Sequence, residues 1–534
     1  MNITANDKSV DSVLTSRAFH IVLLIVGTVF LSLNAFHNNV WFDESYSVAI
    51  ANHDFGDIWY VGSGDVHPVL YYWGLHVLYI IFGQNLVVYR LVTLLGVAAV
   101  AWLGFVCLRK DFSAKIGVLF SFLVLTMPYV TIMATEIRMY SWVFFTVSVC
   151  ALFSFRIAQS LSLRVSIPYR WWVVFFLSSL ASAYLHYFGV LTAFLINAMF
   201  LCFLLRHREG NKRTILIFIA QALVQVLLYL PWLSVLLNQV GVVSESYWAN
   251  ISPEAVFNLL TYLVATDNMC FAWRGEYGLE AQITMVMLFC VFLVICFVFL
   301  CSLYKQKKQK TNREDSSFVA DRTDIKAAYL AFGLYVGVIV LSLIVSVVMD
   351  SFILYYRYAF VASAPFLFAF SVLLSRIKPQ LVTRLFCALM LCVAIANQII
   401  LLRDNYSSEN NEALEYFEEQ AKDGALVLSS DIGVEGVTCV AYPEIEETYL
   451  DWQEGNWAQS YLAYTPSLKS VKTWDAALDG YKGIFIVLGQ SPKGEEPSDV
   501  NDLVRRNDVS LVEFERFYRP YERTYFTVAL LEKV

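Results

Sequence analysis

Charge is scarce in this chain. Asp, Glu, Lys and Arg make up 16% of its 534 residues, against 58% hydrophobic residues and a mean hydropathy of +0.57. That shortage excludes an ordinary soluble domain, and long charge-free apolar runs make the chain polytopic. No stretch resembles a nucleic-acid-binding surface, and there is no internal repeat. Cysteines outside apolar surroundings are nearly missing as well: eight of the ten lie within apolar runs, where a thiol behaves as a small hydrophobe. Cys270 and Cys439 fall outside them and offer one pairing on an oxidising face, which nothing in the sequence enforces. The first apolar run lacks a small-residue cleavage site and reads as a retained anchor.

What is present is a membrane body and an acidic tail. Apolar runs near 19–36, 88–108, 116–134, 139–155, 171–185, 189–205, 214–236, 281–304, 327–348, 358–375 and 385–402 predict about eleven spans. Pro68–Phe82 is too short to cross comfortably, begins with proline and contains His76, so it reads as an interfacial or re-entrant helix. Charge supports that choice. With Pro68–Phe82 kept outside, the inner segments hold 22 lysines and arginines and the outer loops of the body hold four, Arg90, Arg138, Arg274 and Arg357. Counting it as a span would put twenty of those basic residues outside, against the positive-inside rule. The N-terminus is therefore expected in the cytoplasm and the tail outside. Residues 403–534 carry 25 acids and 12 bases, and residues 1–402 carry 20 acids and 26 bases, which suggests a domain division at 402/403.

The tail reads as a small α/β domain. NEALEYFEEQAKDG (411–424) predicts a helix ending near Gly424, and ALVLSS, GIFIVLG and TYFTVALLE predict strands. It has no glycine-rich phosphate fingerprint and no metal-spaced Cys/His cluster; docking or acceptor recognition is its expected role. The cytoplasmic 305–322 loop reads as a solvated connector.

The chemistry-bearing residues gather on the outer side. Asp43 and Glu44 sit just past the first span in WFDES. Neighbours on a helix diverge by about 100°, so one is expected to face a reaction while the other binds backbone, acceptor or a metal. The competing reading makes Asp43 a helix N-cap, worth about 1 kcal/mol. Asp65, His67 and Pro68 open the aromatic segment that contains Tyr72; proline at a helix start is routine, yet a titratable pair there also suits an acceptor or phosphate wall. Arg138 and Tyr140 follow in TEIRMY, where Glu136 and Arg138 also read as a local salt bridge of little worth. His186 occupies the next outer turn, and Arg357 and Tyr358 lie in YYRY near the start of the tenth span. That all four outer bases are arginines favours phosphate, which a planar guanidinium fork holds bidentately. Headgroup snorkelling of Arg90 and Arg357 is the alternative.

WFDES, DVHPVLYYW, EIRMYSW and YYRYAFVASAPF, in that order over roughly residues 19–400, resemble the GT-C glycosyltransferases, most closely the family 39-type enzymes related to protein O-mannosyltransferases and lipid A aminoarabinose transferases. The resemblance implies an all-α polytopic GT-C-like body with interfacial helices in the first outer loop, a polyprenyl-phosphate sugar donor, and a bacterial plasma membrane. It implies Asp43 as base, Glu44 as its motif partner, the Asp65-His67-Pro68 region as part of the donor and acceptor site, and Arg138 and Arg357 near the lipid phosphate. Val69 departs from the family pattern, which often has a second proline there. The expected reaction is inverting transfer of a hexosyl-type sugar to a hydroxyl of a protein, lipid or cell-envelope glycan. No cofactor is demanded, although Asp43, Glu44 and His67 offer ligands to a divalent metal. The rival is a transporter or flippase of the lipid-linked sugar, which would place ionisable groups near the bilayer midplane; here span centres are nearly free of charge.

Overall fold

The structure is a computed structural model describing residues 11–207, 212–246, 259, 261–264, 290, 293, 320–349, 351, 353–422, 424–450 and 456–534. The expected run at 281–304, Arg274, Cys270 and most of the 305–322 loop lie outside the described residues. Each of the other ten expected runs is helical. Eight of these helices are long and apolar enough to cross a membrane, Arg17–Ala35, Leu86–Asp111, Tyr140–Ser162, Tyr187–Arg206, Lys212–Gly241, Thr323–Val348, Tyr356–Arg376 and Gln380–Ala421. The protein is accordingly a multi-pass membrane protein.

Two expected spans come out shorter. The 116–134 run divides into Ala114–Thr126 and Pro128–Met133, with Met127 extended between them (φ −64°, ψ 124°). Steric conflict with the proline ring removes the α-conformation from the preceding residue. The 171–185 run becomes Tyr169–Leu185, 17 residues. Pro68–Phe82 forms a 13-residue helix, Leu70–Phe82, about 20 Å long at 1.5 Å per residue. Its Tyr71, Tyr72, Leu75 and His76 are buried, while Val77, Ile80, Ile81 and Phe82 stay exposed.

Starts of these helices are set by side chains that accept free N–H groups: Ser16 from Phe19, Asn85 from Val88, Ser113 from Ile116 and His186 from Phe188. The helices beginning at Tyr140, Tyr187 and Tyr356 start near the candidate site and carry Arg156, Arg206 and Arg376 toward their other ends. At 1.5 Å per residue, a helix such as 140–162 separates those two levels by about 25–33 Å.

The last candidate span, Gln380–Ala421, consists of helices Gln380–Asn405 and Glu409–Ala421 and leads to a six-stranded sheet of β1 Leu426–Ser429, β2 Glu447–Leu450, β3 Leu468–Val471, β4 Gly483–Ser491, β5 Val509–Arg519 and β6 Thr524–Lys533. The order is β3-β2-β1-β4-β6-β5, with β1 to β4 parallel and β6 antiparallel to both β4 and β5. The three expected strands are β1, β4 and β6; β2, β3 and β5 are additions to that expectation. Cys439 is a buried free thiol.

This sheet domain rests on the segment that follows the first span. Its helix Ile432–Ala441 packs on helix Phe42–Ile50, and a Cβ at Gly436 would meet Tyr464 Oη at 2.5 Å and Ser45 Oγ at 2.8 Å. Overpacking at such a contact typically costs about 1–3 kcal/mol. Gly436→Ala is therefore expected to lower the unfolding temperature of the detergent-solubilised protein. An unchanged value would show that the two helices separate freely.

Candidate functional site

Helix Phe42–Ile50 begins directly after Trp41, whose backbone is extended (φ −111°, ψ 174°) and whose side chain makes no cap. Asp43 is thus inside the first turn and is not the N-cap. Its carboxylate reaches a distant part of the chain, with Oδ2 accepting from Arg357 Nη1 at 2.7 Å. Glu44 turns the other way into a buried nest. Its Oε1 accepts the Ile137 N–H at 2.9 Å, and its Oε2 accepts from Tyr521 Oη at 2.5 Å and Arg90 Nη2 at 3.3 Å. The two neighbouring carboxylates have separate environments, as helical geometry requires.

Arg90 and Arg357 are both buried, so neither snorkels to headgroups. Arg90 donates from Nη1 to His37 O at 2.8 Å and from Nη2 to Asn39 O, which ties the loop before Trp41 to helix 86–103. The Arg357 guanidinium lies 4.6 Å from the Trp41 ring centroid and 5.9 Å from those of Tyr140 and Tyr355. Glu136 approaches the same nitrogen as Asp43, with Oε1 at 3.6 Å from Nη1.

Arg138 does not close the local salt bridge with Glu136. Its Nη1 donates to Asp43 O at 3.1 Å, Ser47 Oγ at 3.3 Å and Tyr72 Oη at 3.4 Å, while Nη2 lies 3.3 Å from His67 Nδ1. Asp65 completes this cluster, with Oδ2 at 3.3 Å from His67 Nδ1 and 3.2 Å from Tyr72 Oη, which donates to it. Pro68 is buried and precedes the 70–82 helix, so it sets the turn that points His67 inward. The His186 ring lies tilted against three others, 5.2 Å from His67, 5.5 Å from Tyr140 and 5.1 Å from Tyr358. Burial, then the neighbouring His67 and Arg138, push the His186 imidazole well below its ordinary range.

Every expected site residue within the described part therefore belongs to one connected layer. Arg274 is outside the described residues. Asp43, Glu44 and His67 do not converge on one point: each is committed to a different partner, Arg357, Arg90 with Tyr521, and Asp65. Among the described residues no group of three or more His, Cys, Asp or Glu is arranged to hold a metal ion.

Sequence reasoning misses four members. Trp41 carries only its place in WFDES, two residues before Asp43. Glu136 carries only its local pairing signal, and Arg90 reads only as one of the outer arginines. Tyr521 lies 477 residues from Glu44 and carries no signal.

Of the four acids, Asp43 is the one with access, its side chain 26% exposed against 0% for Glu44 and 6% for Glu136, and 11% for Asp65. A partly exposed carboxylate beside a guanidinium has the parts for deprotonating a hydroxyl next to an anionic leaving group. A cavity of about 40 Å³ is bordered by His37, Trp41, Arg90, Glu136 and Tyr521. An apolar cavity of about 580 Å³ lies toward the other end of the bundle, between Phe112, Phe155, Phe203, Leu334 and Phe368.

Burial pushes Glu136 up to about 7; Arg357 opposes the shift, and Glu44 and Asp43 add to it. The folded state thus holds this proton more tightly than the unfolded chain, whose glutamate titrates near 4.5, so stability falls as pH rises from about 4.5 through about 7. Glu136→Gln is expected to match the wild type in unfolding temperature at pH 5 and to exceed it at pH 8. Equal pH dependence in the two proteins would contradict the assignment.

No protein-family model matches the chain, and no curated protein matches it. Among solved structures, two of ArnT from Cupriavidus metallidurans are similar to it, each with 12% identity over 96% of this chain and 97% of that one. The apo state gives a TM-score of 0.49 and the state bound to undecaprenyl phosphate gives 0.48.

Proposed function

We propose that the protein is a GT-C-type membrane glycosyltransferase that moves a sugar from a polyprenyl-phosphate donor to an acceptor hydroxyl on the extracytoplasmic face. The observation that carries this reading is the Asp43–Arg357 pair, an accessible acid and a buried, aromatic-walled guanidinium drawn together from 314 residues apart.

In the resting site each partner neutralises the other. The donor phosphate displaces the Asp43 carboxylate from Arg357, and the freed carboxylate turns to the acceptor hydroxyl. The acceptor oxygen attacks the anomeric carbon as the bond from that carbon to the phosphate oxygen breaks. The hydroxyl proton passes to Asp43, and the electron pair leaves with the polyprenyl phosphate. An ordinary carboxylate suffices, because the hydroxyl becomes acidic late in the displacement. Arg357 stabilises the leaving dianion in a partly dry cleft, where such a donor is typically worth about 3–4 kcal/mol. A single displacement inverts the anomeric centre.

Glu44 positions rather than reacts, since its oxygens are occupied by Arg90, Tyr521 and the Ile137 N–H. Arg138, through the Asp43 carbonyl and Ser47, fixes the same helix turn, and His67, Asp65, Tyr72, Tyr140, His186 and Tyr358 form the wall against which donor and acceptor lie. None of these steps calls on a divalent metal. The acceptor is a protein, lipid or glycan of a bacterial cell envelope, and the cytoplasmic N-terminus and outer C-terminal domain follow from the positive-inside count.

The test is transfer by the purified protein from a radiolabelled polyprenyl-phosphate hexose to envelope acceptors in detergent, beside flux of the same lipid through proteoliposomes. Transfer without flux is expected. Flux without transfer would make the protein a transporter.

A further inference from the structure

Besides the packing of helix 432–441 on helix 42–50 and the Tyr464 Oη to Ser45 Oγ contact at 3.1 Å, the C-terminal domain reaches the Glu44 carboxylate itself. The turn joining β5 to β6, residues 520–523, is pinned to the chain that leaves the last membrane helix. Arg523 Nη2 donates to Asp404 Oδ2 at 2.8 Å, Arg519 Nε donates to Asn410 O at 3.1 Å, and the Tyr521 N–H donates to Asn410 Oδ1 at 2.9 Å. From that fixed base the Tyr521 side chain extends into the membrane body. Its ring packs edge-on to His37 at 5.0 Å, and its phenol is 2.5 Å from Glu44 Oε2.

Glu44 is the joint between two pieces of the site. Its backbone belongs to the helix turn that carries Asp43, and its Oε1 holds the N–H of Ile137, between Glu136 and Arg138. Three donors hold this fully buried carboxylate: Arg90, the Ile137 amide and Tyr521. A buried carboxylate deprived of a donor retains its charge without full compensation, and it shifts to find another. Any such shift is transmitted directly to Asp43.

Resting on the proposed transferase reading, we propose that Tyr521 is a positioning residue for the reaction: the C-terminal domain, through this phenol on Glu44, sets the aim of Asp43. The domain is then part of the catalytic apparatus and does more than dock an acceptor. Because an error of about 1 Å in placing a reacting group costs on the order of 100-fold in rate, loss of the phenol hydroxyl is expected to lower kcat about 10- to 100-fold. The KM for donor should stay near the wild-type value, since Arg357 does not touch Glu44.

The experiment is a double-mutant cycle in the full-length protein, with Tyr521→Phe, Glu44→Gln and the double variant assayed for transfer. A residue acting through Glu44 gives strongly non-additive losses, so the double variant is expected to match the more impaired single variant. A double variant whose loss equals the product of the single losses would overturn the proposal. So would a Tyr521→Phe protein with wild-type kcat. Amide exchange gives a readout independent of activity. Tyr521→Phe should speed exchange across residues 42–47 and at Ile137, while β4 and β6 keep their protection. Unchanged exchange at 42–47, or loss of protection throughout the sheet, would each contradict the positioning role. If the wild type transfers no sugar, the enzymatic reading fails by itself, and the exchange result still decides whether the phenol holds the loop.

Discussion

Asp43→Asn is expected to lower transfer by about 100- to 10,000-fold, the range that a positioned general base supplies, and to tighten donor binding. The substitution keeps the shape of the side chain and an oxygen for Arg357, so the fold should survive. It removes both the basicity the acceptor proton needs and the charge that neutralises Arg357 in the resting site. Wild-type donor must displace a carboxylate 2.7 Å from the guanidinium, in a pair whose side chains are 8% and 26% exposed. The asparagine variant presents that guanidinium with no paired charge from position 43. A calorimetric or fluorescence titration with polyprenyl phosphate, beside a single-turnover assay, checks both halves. Near-normal transfer would remove Asp43 from the chemistry. Weakened lipid binding would show that Arg357 is not the phosphate partner.

Arg357→Ala is the second large effect. It is expected to weaken lipid-phosphate binding about 10- to 100-fold and to lower the rate of the bound donor by about a further 100-fold or more, as removal of a preorganised anion-stabilising donor does. It also leaves Asp43 and Glu136, which both approach Nη1 of that guanidinium, without their shared counter-charge. Arg357→Lys should recover part of the binding and little of the rate, because a point charge cannot reproduce the planar fork stacked on Trp41. Equal lipid affinity in Arg357→Ala and wild type would contradict this role.

The parts of the site legible in the sequence are those concentrated in short polar breaks between apolar runs. Asp43, Glu44, Arg138, His186 and Arg357 stand out because charge and histidine are rare in such a chain, and the structure brings them into one layer. Their pairings are not legible. Glu44 meets Tyr521 and Asp43 meets Arg357 through the packing of helices and a hairpin far apart in sequence, which no local period encodes. Hydropathy also overruns the break at Met127, although the proline rule applies there. In the sheet, β1, β4 and β6 are apolar enough to read as strands. Four-residue β2 and β3 are too short to display a period, and β5 is an edge strand exposed along most of its length, so it lacks the alternation that marks a half-buried one.

The central claim is that one guanidinium changes partner, from Asp43 at rest to the lipid phosphate in the working state. A structure of the protein with polyprenyl phosphate bound tests it most directly. The account predicts a phosphate oxygen within hydrogen-bond distance of Arg357, the Asp43–Arg357 contact opened, and the Asp43 carboxylate facing the cleft. A phosphate seated away from Arg357, with the Asp43 pair intact, would contradict it.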